Sequence, residues 1–206
     1  MRKDLVIFVP GAKYIKSKYD LLEKSIIKFY ELTNIRQPVY INYAKLWEKR
    51  LKKSSNEVIW LHWNGGISFI SKYLATRKLK RIIKHYKNTH NIHVVGLSLG
   101  GEIVLESAKD LDKQIKSIVL LCSINKNKNI NLKLKILNIY SPDDLFEKIS
   151  VKVMSPFQGG VLLKGKNVKN ISIPHLRHED FCLDKVIKNG KYSGKRISSI
   201  VNSFIN

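Results

Sequence analysis

Short, almost uninterrupted apolar runs alternate along the chain with longer segments in which apolar residues recur every three or four positions. Such runs are typical of strands buried on both faces of a parallel sheet, and the longer spacing predicts helices that cover those faces. The predicted strands span residues 5–9, 58–63, 93–97, 115–121, 134–140 and 171–173, with a short extended piece at 38–41. The predicted helices span residues 20–30, 67–86, 101–109 and 193–205.

This alternation predicts an α/β fold, with a doubly wound and mostly parallel sheet flanked by helices. The chain has 206 residues, of which 44% are apolar, and this length suits one domain with a sizeable core. No internal repeat, low-complexity tract or long linker divides the sequence. We therefore expect residues 1–206 to form a single domain.

The segment around Ser98 carries the strongest chemical signal. Gly96-Leu97-Ser98-Leu99-Gly100 lies between an apolar strand and a helix, which is the layout of a nucleophile elbow, a sharp turn that raises a serine hydroxyl above the sheet edge. The glycines avoid a Cβ where strand, turn and helix come close together. The N–H of Leu99 would then point toward the place where an oxyanion forms.

A serine nucleophile needs a base, usually histidine, that is held in place by a carboxylate. Asp143 and Asp144 follow one predicted strand, and His175 and His178 follow the next. Loops after the carboxyl ends of parallel strands meet at one edge of the sheet, so we expect these groups beside Ser98, in the order serine, acid, histidine. We predict that Ser98 is the nucleophile, His178 the base and Asp144 the acid, with Asp143 as the alternative acid.

These segments resemble the α/β-hydrolase family over nearly the whole chain. Residues 96–101 match the family's nucleophile motif, Asn64-Gly65-Gly66-Ile67-Ser68 is similar to a turn in lipase-like members, and residues 178–181 resemble the histidine loop. The resemblance implies a minimal α/β-hydrolase fold without a clear cap domain, and an oxyanion hole formed by the N–H groups of Ala12 and Leu99. This chain has Pro10-Gly11-Ala12 where many members carry His-Gly, a change that a backbone donor tolerates.

Basic residues outnumber acidic residues by 38 to 16, which gives a formal net charge of +22. This field attracts anionic surfaces, so an anionic membrane surface is a candidate partner, whereas no motif indicates nucleic acid binding. A compositional bias toward lysine, asparagine and isoleucine is the alternative explanation for the charge. Only the helix after Gly66 concentrates it, at six basic positions with no acidic residue between them: Arg77, Lys78, Lys80, Arg81, Lys84 and Lys87.

The remaining residues that could bind metals or cofactors form no recognisable set. Cys122 and Cys182 lack metal-site spacing, and His85, His90 and His93 do not form a ligand cluster. No phosphate loop or dinucleotide fingerprint is present. We therefore expect neither a metal nor a cofactor. The absence of a signal peptide or an apolar span, together with the few cysteines, predicts a cytoplasmic protein.

These observations predict a serine hydrolase, of carboxylesterase or lipase type, that cleaves carboxylic esters or thioesters through a Ser-His-Asp triad and an acyl-enzyme. The expected partner is a small ester or acyl substrate. The same groups could cleave an amide, as in an amidase or peptidase. A catalytically inert basic module that binds nucleic acid or an anionic membrane is the third alternative. The sequence indicates neither the acyl length nor the oligomeric state.

Overall fold

A parallel β-sheet organises the part of the chain that the computed structural model describes, namely residues 2–11, 43–52, 57–66, 68–123, 125, 129–145 and 162–206. Its strands within these residues are β1 (Lys3–Val9), β2 (Glu57–Trp60), β3 (His90–Leu97), β4 (Ile115–Leu121), β5 (Lys135–Tyr140) and β6 (Val168–Ser172). They form one six-stranded sheet in the order β2-β1-β3-β4-β5-β6, and every pairing is parallel. The predicted fold class is confirmed.

Helices lie on both faces of this sheet. They are α1 (Tyr43–Lys52), α2 (Phe69–Tyr86), α3 (Leu99–Leu111), α4 (His178–Cys182) and α5 (Ile197–Ile205), with a short 3-10 helix at Asp112–Gln114. Helices α2 and α3 contribute buried side chains to the apolar cluster on one face. Helices α1, α4 and α5 contribute to the cluster on the opposite face. The sheet is therefore doubly wound, as its apolar strands require.

Strand β1 illustrates how an apolar run serves both faces. Leu5, Ile7 and Val9 belong to the cluster beneath α2 and α3, whereas Val6 and Phe8 belong to the opposite cluster. All five side chains are fully buried. Successive side chains of a strand point to opposite faces, so a run without polar positions is the pattern of a strand covered on both sides.

Two of the differences between the predicted element boundaries and the structure have a clear local cause. Strand β2 ends at Trp60 and not at Trp63, because the backbone leaves the sheet after Leu61 and the Trp63 indole donates instead to the carbonyl of Pro10, at 3.1 Å. The last helix begins at Ile197 and not at residue 193, because Gly194 has a φ of +79°, which a helix cannot contain.

Two further elements carried weak sequence signals. Strand β6 begins at Val168, three residues before the predicted start. The sequence pattern missed these residues because only Ile171 of the five strand residues is buried, so they form no apolar run. Helix α1 was not predicted, although Tyr43, Trp47 and Leu51 recur at helical spacing. The predicted helix at 20–30 and the extended piece at 38–41 lie outside the described residues.

The carboxyl ends of the central strands are aligned. The register pairs Val9 of β1 with Gly96 of β3, and Leu97 of β3 with Leu121 of β4, which in turn pairs with Ile139 of β5. The segments that follow these strands therefore all leave the sheet at one edge. We call it the carboxyl edge.

The backbone of β1 passes so close to Gly100 at this edge that no larger residue fits there. A Cβ at this position would lie 2.2 Å from the carbonyl oxygen of Val9, so Gly100→Ala must displace the backbone of β1. We expect the free energy of unfolding to fall by about 3 kcal/mol in urea titrations. Gly190→Ala is the matched control, since a Cβ there meets nothing within 4 Å and only its φ of +82° is unfavourable. It should cost about 1 kcal/mol, and equal losses in the two variants would contradict the close packing at Gly100.

The buried His93 predicts a loss of stability in mild acid. Its Nδ1 lies 2.7 Å from the Ser117 hydroxyl and its Nε2 lies 3.4 Å from an oxygen of Asp4. Burial lowers the pKa of His93 below its ordinary value of 6.5. Below pH 6.5 the His93 imidazole is therefore protonated in the unfolded chain more readily than in the folded chain. The free energy of unfolding is unaffected by this group above pH 6.5 and falls as the pH decreases below it.

Denaturant titrations at pH 7 and pH 5 measure this effect. The loss between the two pH values should be smaller in His93→Asn than in the wild type, because asparagine does not titrate. His85→Asn, which replaces an exposed histidine in the same way, is the control. If the free energy of unfolding fell equally in wild type and His93→Asn between pH 7 and pH 5, His93 would not be the source of the acid sensitivity.

Candidate active site

Ser98 occupies a sharp turn between β3 and α3 at the carboxyl edge. Its φ of 52° and ψ of −125° lie outside the conformations that a serine normally adopts. The turn is fixed by two backbone hydrogen bonds: the Ser98 N–H donates to the Leu121 carbonyl at 2.9 Å, and the Gly101 N–H donates to the Ser98 carbonyl at 3.0 Å. This is the strand–turn–helix context that the sequence motif requires.

Glycines leave room for this turn. A Cβ on Gly96 would lie 2.8 Å from the Cα of Gly101, and one on Gly101 would lie 2.1 Å from the Ser123 hydroxyl oxygen. Gly11, which follows β1, faces the serine itself, because a Cβ there would lie 2.9 Å from the Cβ of Ser98. The glycines therefore let β1, β3 and the first turn of α3 converge around Ser98.

His178 and Asp144 complete a chain of hydrogen bonds that starts at Ser98. The Ser98 hydroxyl lies 2.9 Å from Nε2 of His178, and Nδ1 of His178 lies 2.8 Å from Oδ2 of Asp144. A carboxylate only accepts hydrogen bonds, so Nδ1 carries the proton and Nε2 accepts from the serine hydroxyl. The Asp144 side chain is 1% exposed and that of His178 is 17% exposed. The imidazole is thus held by a buried acid and is itself partly exposed.

The adjacent acid, Asp143, has a different partner. Its Oδ2 accepts a hydrogen bond from the backbone N–H of His175 at 2.7 Å, and the imidazole of His175 lies 3.5 Å from the same oxygen. Both side chains are at least half exposed. The structure therefore brings Asp144 and His178 to Ser98, whereas Asp143 and His175 bind each other at the surface.

The loop that carries His178 is anchored by Asp180, which lies within it, and by Trp47 of α1. Asp180, which is buried, accepts a hydrogen bond from the backbone N–H of Arg177 at 2.8 Å and forms an ion pair with Lys185. The indole of Trp47 on α1 donates to the carbonyls of Phe181 and Cys182, at 3.1 and 3.2 Å. These contacts fix the start of α4, from which the imidazole projects. Neither anchor was identified from the sequence, because both act through backbone groups.

The structure also places a thiol behind the acid–histidine pair. Ligand atoms of Cys122, Asp144 and His178 lie within 4.8 Å of one another, the set among the described residues that could hold a metal ion. A metal there would displace the Nδ1 proton and the hydrogen bond to Asp144. Cys122 is fully buried and directly follows β4, a position that could have signalled its place at the carboxyl edge.

The second cysteine is chemically inert at neutral pH. Burial raises the pKa of the Cys182 thiol to about 12, with the nearby carboxylates of Glu179 and Asp144 adding to the effect. Only a thiolate is an effective nucleophile, so Cys182 is protonated and unreactive at neutral pH. Ser98 differs from it, because its hydroxyl is bonded to the imidazole of His178.

Of the two predicted oxyanion donors, Leu99 lies within the described residues and Ala12 does not. Leu99 is the first residue of α3, where a backbone N–H has no partner within the helix. Its position next to Ser98 is therefore suitable for a donor toward the same reacting atom. Ala12 lies outside the described residues, which end before it at Gly11.

A sequence model of the alpha/beta hydrolase family matches residues 29–181, most of the chain and all of the segments around Ser98 and Asp144. The chain belongs to the alpha/beta hydrolase family. Membership in this family supports a hydrolase that acts on small molecules. Among curated proteins, a search by sequence found no significant match.

Several solved structures share the fold of this alpha/beta hydrolase at low sequence identity. A serine hydrolase without a lid from Xanthomonas campestris aligns with a TM-score of 0.55 and 10% identity, over 100% of this chain and 80% of its own. Dienelactone hydrolase from Anabaena variabilis gives 0.54 and 12%, over 98% and 83%. Est1E from Butyrivibrio proteoclasticus with bound ferulic acid gives 0.54 and 11%, over 99% and 87%. These likenesses establish the fold alone.

No helix among the described residues is long and apolar enough to cross a membrane.

The neighbouring acids provide a matched pair of variants. Asp144→Asn should lower the rate at which a fluorophosphonate modifies Ser98 by about 10³-fold or more, because an amide no longer holds the Nδ1–H tautomer of His178. Asp143→Asn removes a carboxylate that is bonded only to the neighbouring loop, and its rate should stay within about threefold of wild type. Both rates are measured by quenching the reaction at successive times and determining the fraction of modified protein by intact-protein mass spectrometry. A larger loss in Asp143→Asn than in Asp144→Asn would contradict the geometry.

Proposed function

We propose that this protein is a serine hydrolase that cleaves carboxylic esters or thioesters through Ser98, His178 and Asp144. The observation that carries the proposal is the unbroken chain of hydrogen bonds from the Ser98 hydroxyl through the imidazole to the buried carboxylate, at 2.9 and 2.8 Å. Family membership adds support, because this family contains hydrolases. Another serine–histidine pair among the described residues, Ser117 and His93, is almost completely buried in the sheet, where a substrate cannot reach it.

The geometry suits general base catalysis in the first half of the reaction. Ser98 Oγ attacks the carbonyl carbon of the substrate while its proton passes to Nε2 of His178. The Asp144 carboxylate stabilises the imidazolium that forms. When the tetrahedral intermediate collapses, the bond to the alcohol or thiol breaks and Nε2 returns its proton to the leaving group. The acyl group is then held as an ester of Ser98.

The second half of the reaction repeats these steps with water. Nε2 of His178 removes a proton from a water molecule as the water attacks the acyl carbonyl. The second tetrahedral intermediate collapses with release of the carboxylic acid, and the proton on Nε2 returns to Ser98 Oγ. The N–H of Leu99 and, we propose, that of Ala12 stabilise the oxyanion in both halves, each donor contributing about 3 kcal/mol.

The leaving group separates the ester and amide alternatives. An alkoxide or thiolate is a better leaving group than an amide anion, and a neutral amine leaves only after its nitrogen has been protonated. A given acyl-enzyme therefore forms more readily from an ester. Comparison of kcat/KM on an ester and an amide with the same acyl group decides between the two. We expect the ester to be preferred.

Modification by a fluorophosphonate tests the proposed nucleophile. Wild-type protein should form a covalent adduct on the peptide that contains Ser98, and Ser98→Ala should form none while retaining the circular dichroism spectrum of the wild type. Ser172→Ala is the matched control, because this exposed serine ends β6 at the same edge of the sheet. It should react like the wild type.

Two results would overturn the proposal. One is an adduct that persists in Ser98→Ala and maps to another residue. The other is a folded wild-type protein that does not react, which would favour a catalytically inert basic module.

A further inference from the structure

An apolar patch lies on the outer face of the first two turns of α2. Its residues are large and strongly exposed: Phe69 at 79%, Ile70 at 68%, Tyr73 at 51% and Leu74 at 55%. The rings of Phe69 and Tyr73 stack on each other with centroids 6.3 Å apart. Exposed apolar side chains are common when they are scattered, but a contiguous group of this kind marks an interaction surface.

A row of basic residues continues the same face of the helix. Arg77, Arg81 and Lys84 are exposed and follow the apolar patch at spacings of three and four residues. The guanidinium of Arg77 lies 5.7 Å from the centre of the Tyr73 ring, so the patch and the basic row are in contact. Helix α2 contains no aspartate or glutamate. The outer face of α2 is therefore apolar at its amino-terminal end and cationic beyond it.

This face begins at the same edge of the sheet as Ser98. Helix α2 starts in the segment that follows β2, at the carboxyl edge. In its first turn, Lys72 donates to both carboxylate oxygens of Glu102, at 3.1 Å, and Glu102 lies in the first turn of α3 directly after Ser98. The first turn of α2, which carries the start of the apolar patch, is thus joined to the helix that follows the candidate nucleophile.

The combination of apolar and cationic groups favours one class of partner. Nucleic acid would engage the basic row but would leave Ile70 and Leu74 without a suitable contact. A second copy of this chain would bring two cationic helices together, against the net charge of +22. The interface of an anionic bilayer satisfies both halves, because phosphates pair with Arg and Lys while aromatic and aliphatic side chains enter the acyl boundary.

We infer that the outer face of α2 docks this protein on anionic lipid bilayers and thereby turns the Ser98 edge toward the lipid. A helix rises 1.5 Å per residue, so Arg77 to Lys84 lie about 5 to 15 Å along the axis from the apolar patch. An interfacial helix lies in the plane of the membrane with its apolar groups about 5 to 10 Å deep, so the basic row lies beside the inserted patch, where the lipid phosphates are. The inference concerns binding and stands whether or not Ser98 is a nucleophile.

Co-sedimentation of the full chain with vesicles tests this inference. The probes are phosphatidylcholine vesicles with and without 30% phosphatidylglycerol, at low and high salt. Wild type should bind the anionic vesicles at least about tenfold more tightly than the neutral ones, and high salt should weaken the binding. Ile70→Ser/Leu74→Ser and Arg81→Glu/Lys84→Glu should each reduce the partition coefficient by about tenfold or more. All four positions are exposed, so we expect unchanged thermal melting.

A charge-matched control separates this surface from the overall charge. Lys113→Glu/Lys135→Glu makes the same change in net charge at the amino-terminal ends of β4 and β5, opposite the carboxyl edge. It should retain most of the binding. An equal loss in this control would overturn the inference in favour of a diffuse field, and wild-type binding by Ile70→Ser/Leu74→Ser would overturn it as well.

Two further outcomes would assign the surface to another partner. The first is tighter binding of wild type to an oligonucleotide than to anionic vesicles. If Arg81→Glu/Lys84→Glu abolished that binding, nucleic acid and not lipid would be the partner of this surface. The second is a dimer in solution that Ile70→Ser/Leu74→Ser dissociates, which would make a second copy of the chain the partner of this surface. As an independent readout, the added emission of Phe69→Trp should be quenched by brominated anionic lipid, and a lack of quenching would contradict insertion of the apolar patch.

Discussion

The backbone turn at Ser98 is the constraint on which the rest of the site depends. A non-glycine residue at a φ of 52° and a ψ of −125° carries a cost of about 1 to 3 kcal/mol, which the surrounding structure must offset. It does so through the hydrogen bonds of Ser98 to Leu121 and Gly101, and through glycines where a Cβ would collide with neighbouring backbone. The small residues of the motif are thus required by packing before any chemistry is considered.

The parallel sheet converts sequence separation into proximity. Ser98, Asp144 and His178 follow β3, β5 and β6, and because these strands are parallel and in register, the segments after them leave at one edge. The buried anchors then orient the groups: Asp180 and the indole of Trp47 fix the loop of His178 through backbone atoms. The same topology sets the beginning of α2, and with it the apolar patch, at the carboxyl edge.

The fold and the main candidate residues could be predicted because each rests on a local pattern. Uninterrupted apolar runs define the central strands, and the glycine spacing around Ser98 defines the turn. The choice between Asp143 and Asp144 was harder, since it depends on a single step within a turn in which the Asp144 N–H donates to the Ser141 carbonyl at 3.3 Å. Helix α1 could have been found from the helical spacing of Tyr43, Trp47 and Leu51, and Cys122 from its place directly after β4. Their contacts with the histidine loop and the acid–histidine pair follow from tertiary packing, which no local pattern reports.

The central claim is that Ser98 carries the acyl group during turnover. Acid quenching of the protein a few milliseconds after mixing with an activated p-nitrophenyl ester, followed by peptide mass analysis, tests it directly. The account predicts a mass increase equal to the acyl group on the peptide of Ser98, formed and lost at rates consistent with kcat. Turnover without such an adduct, or an adduct confined to lysine side chains, would contradict it.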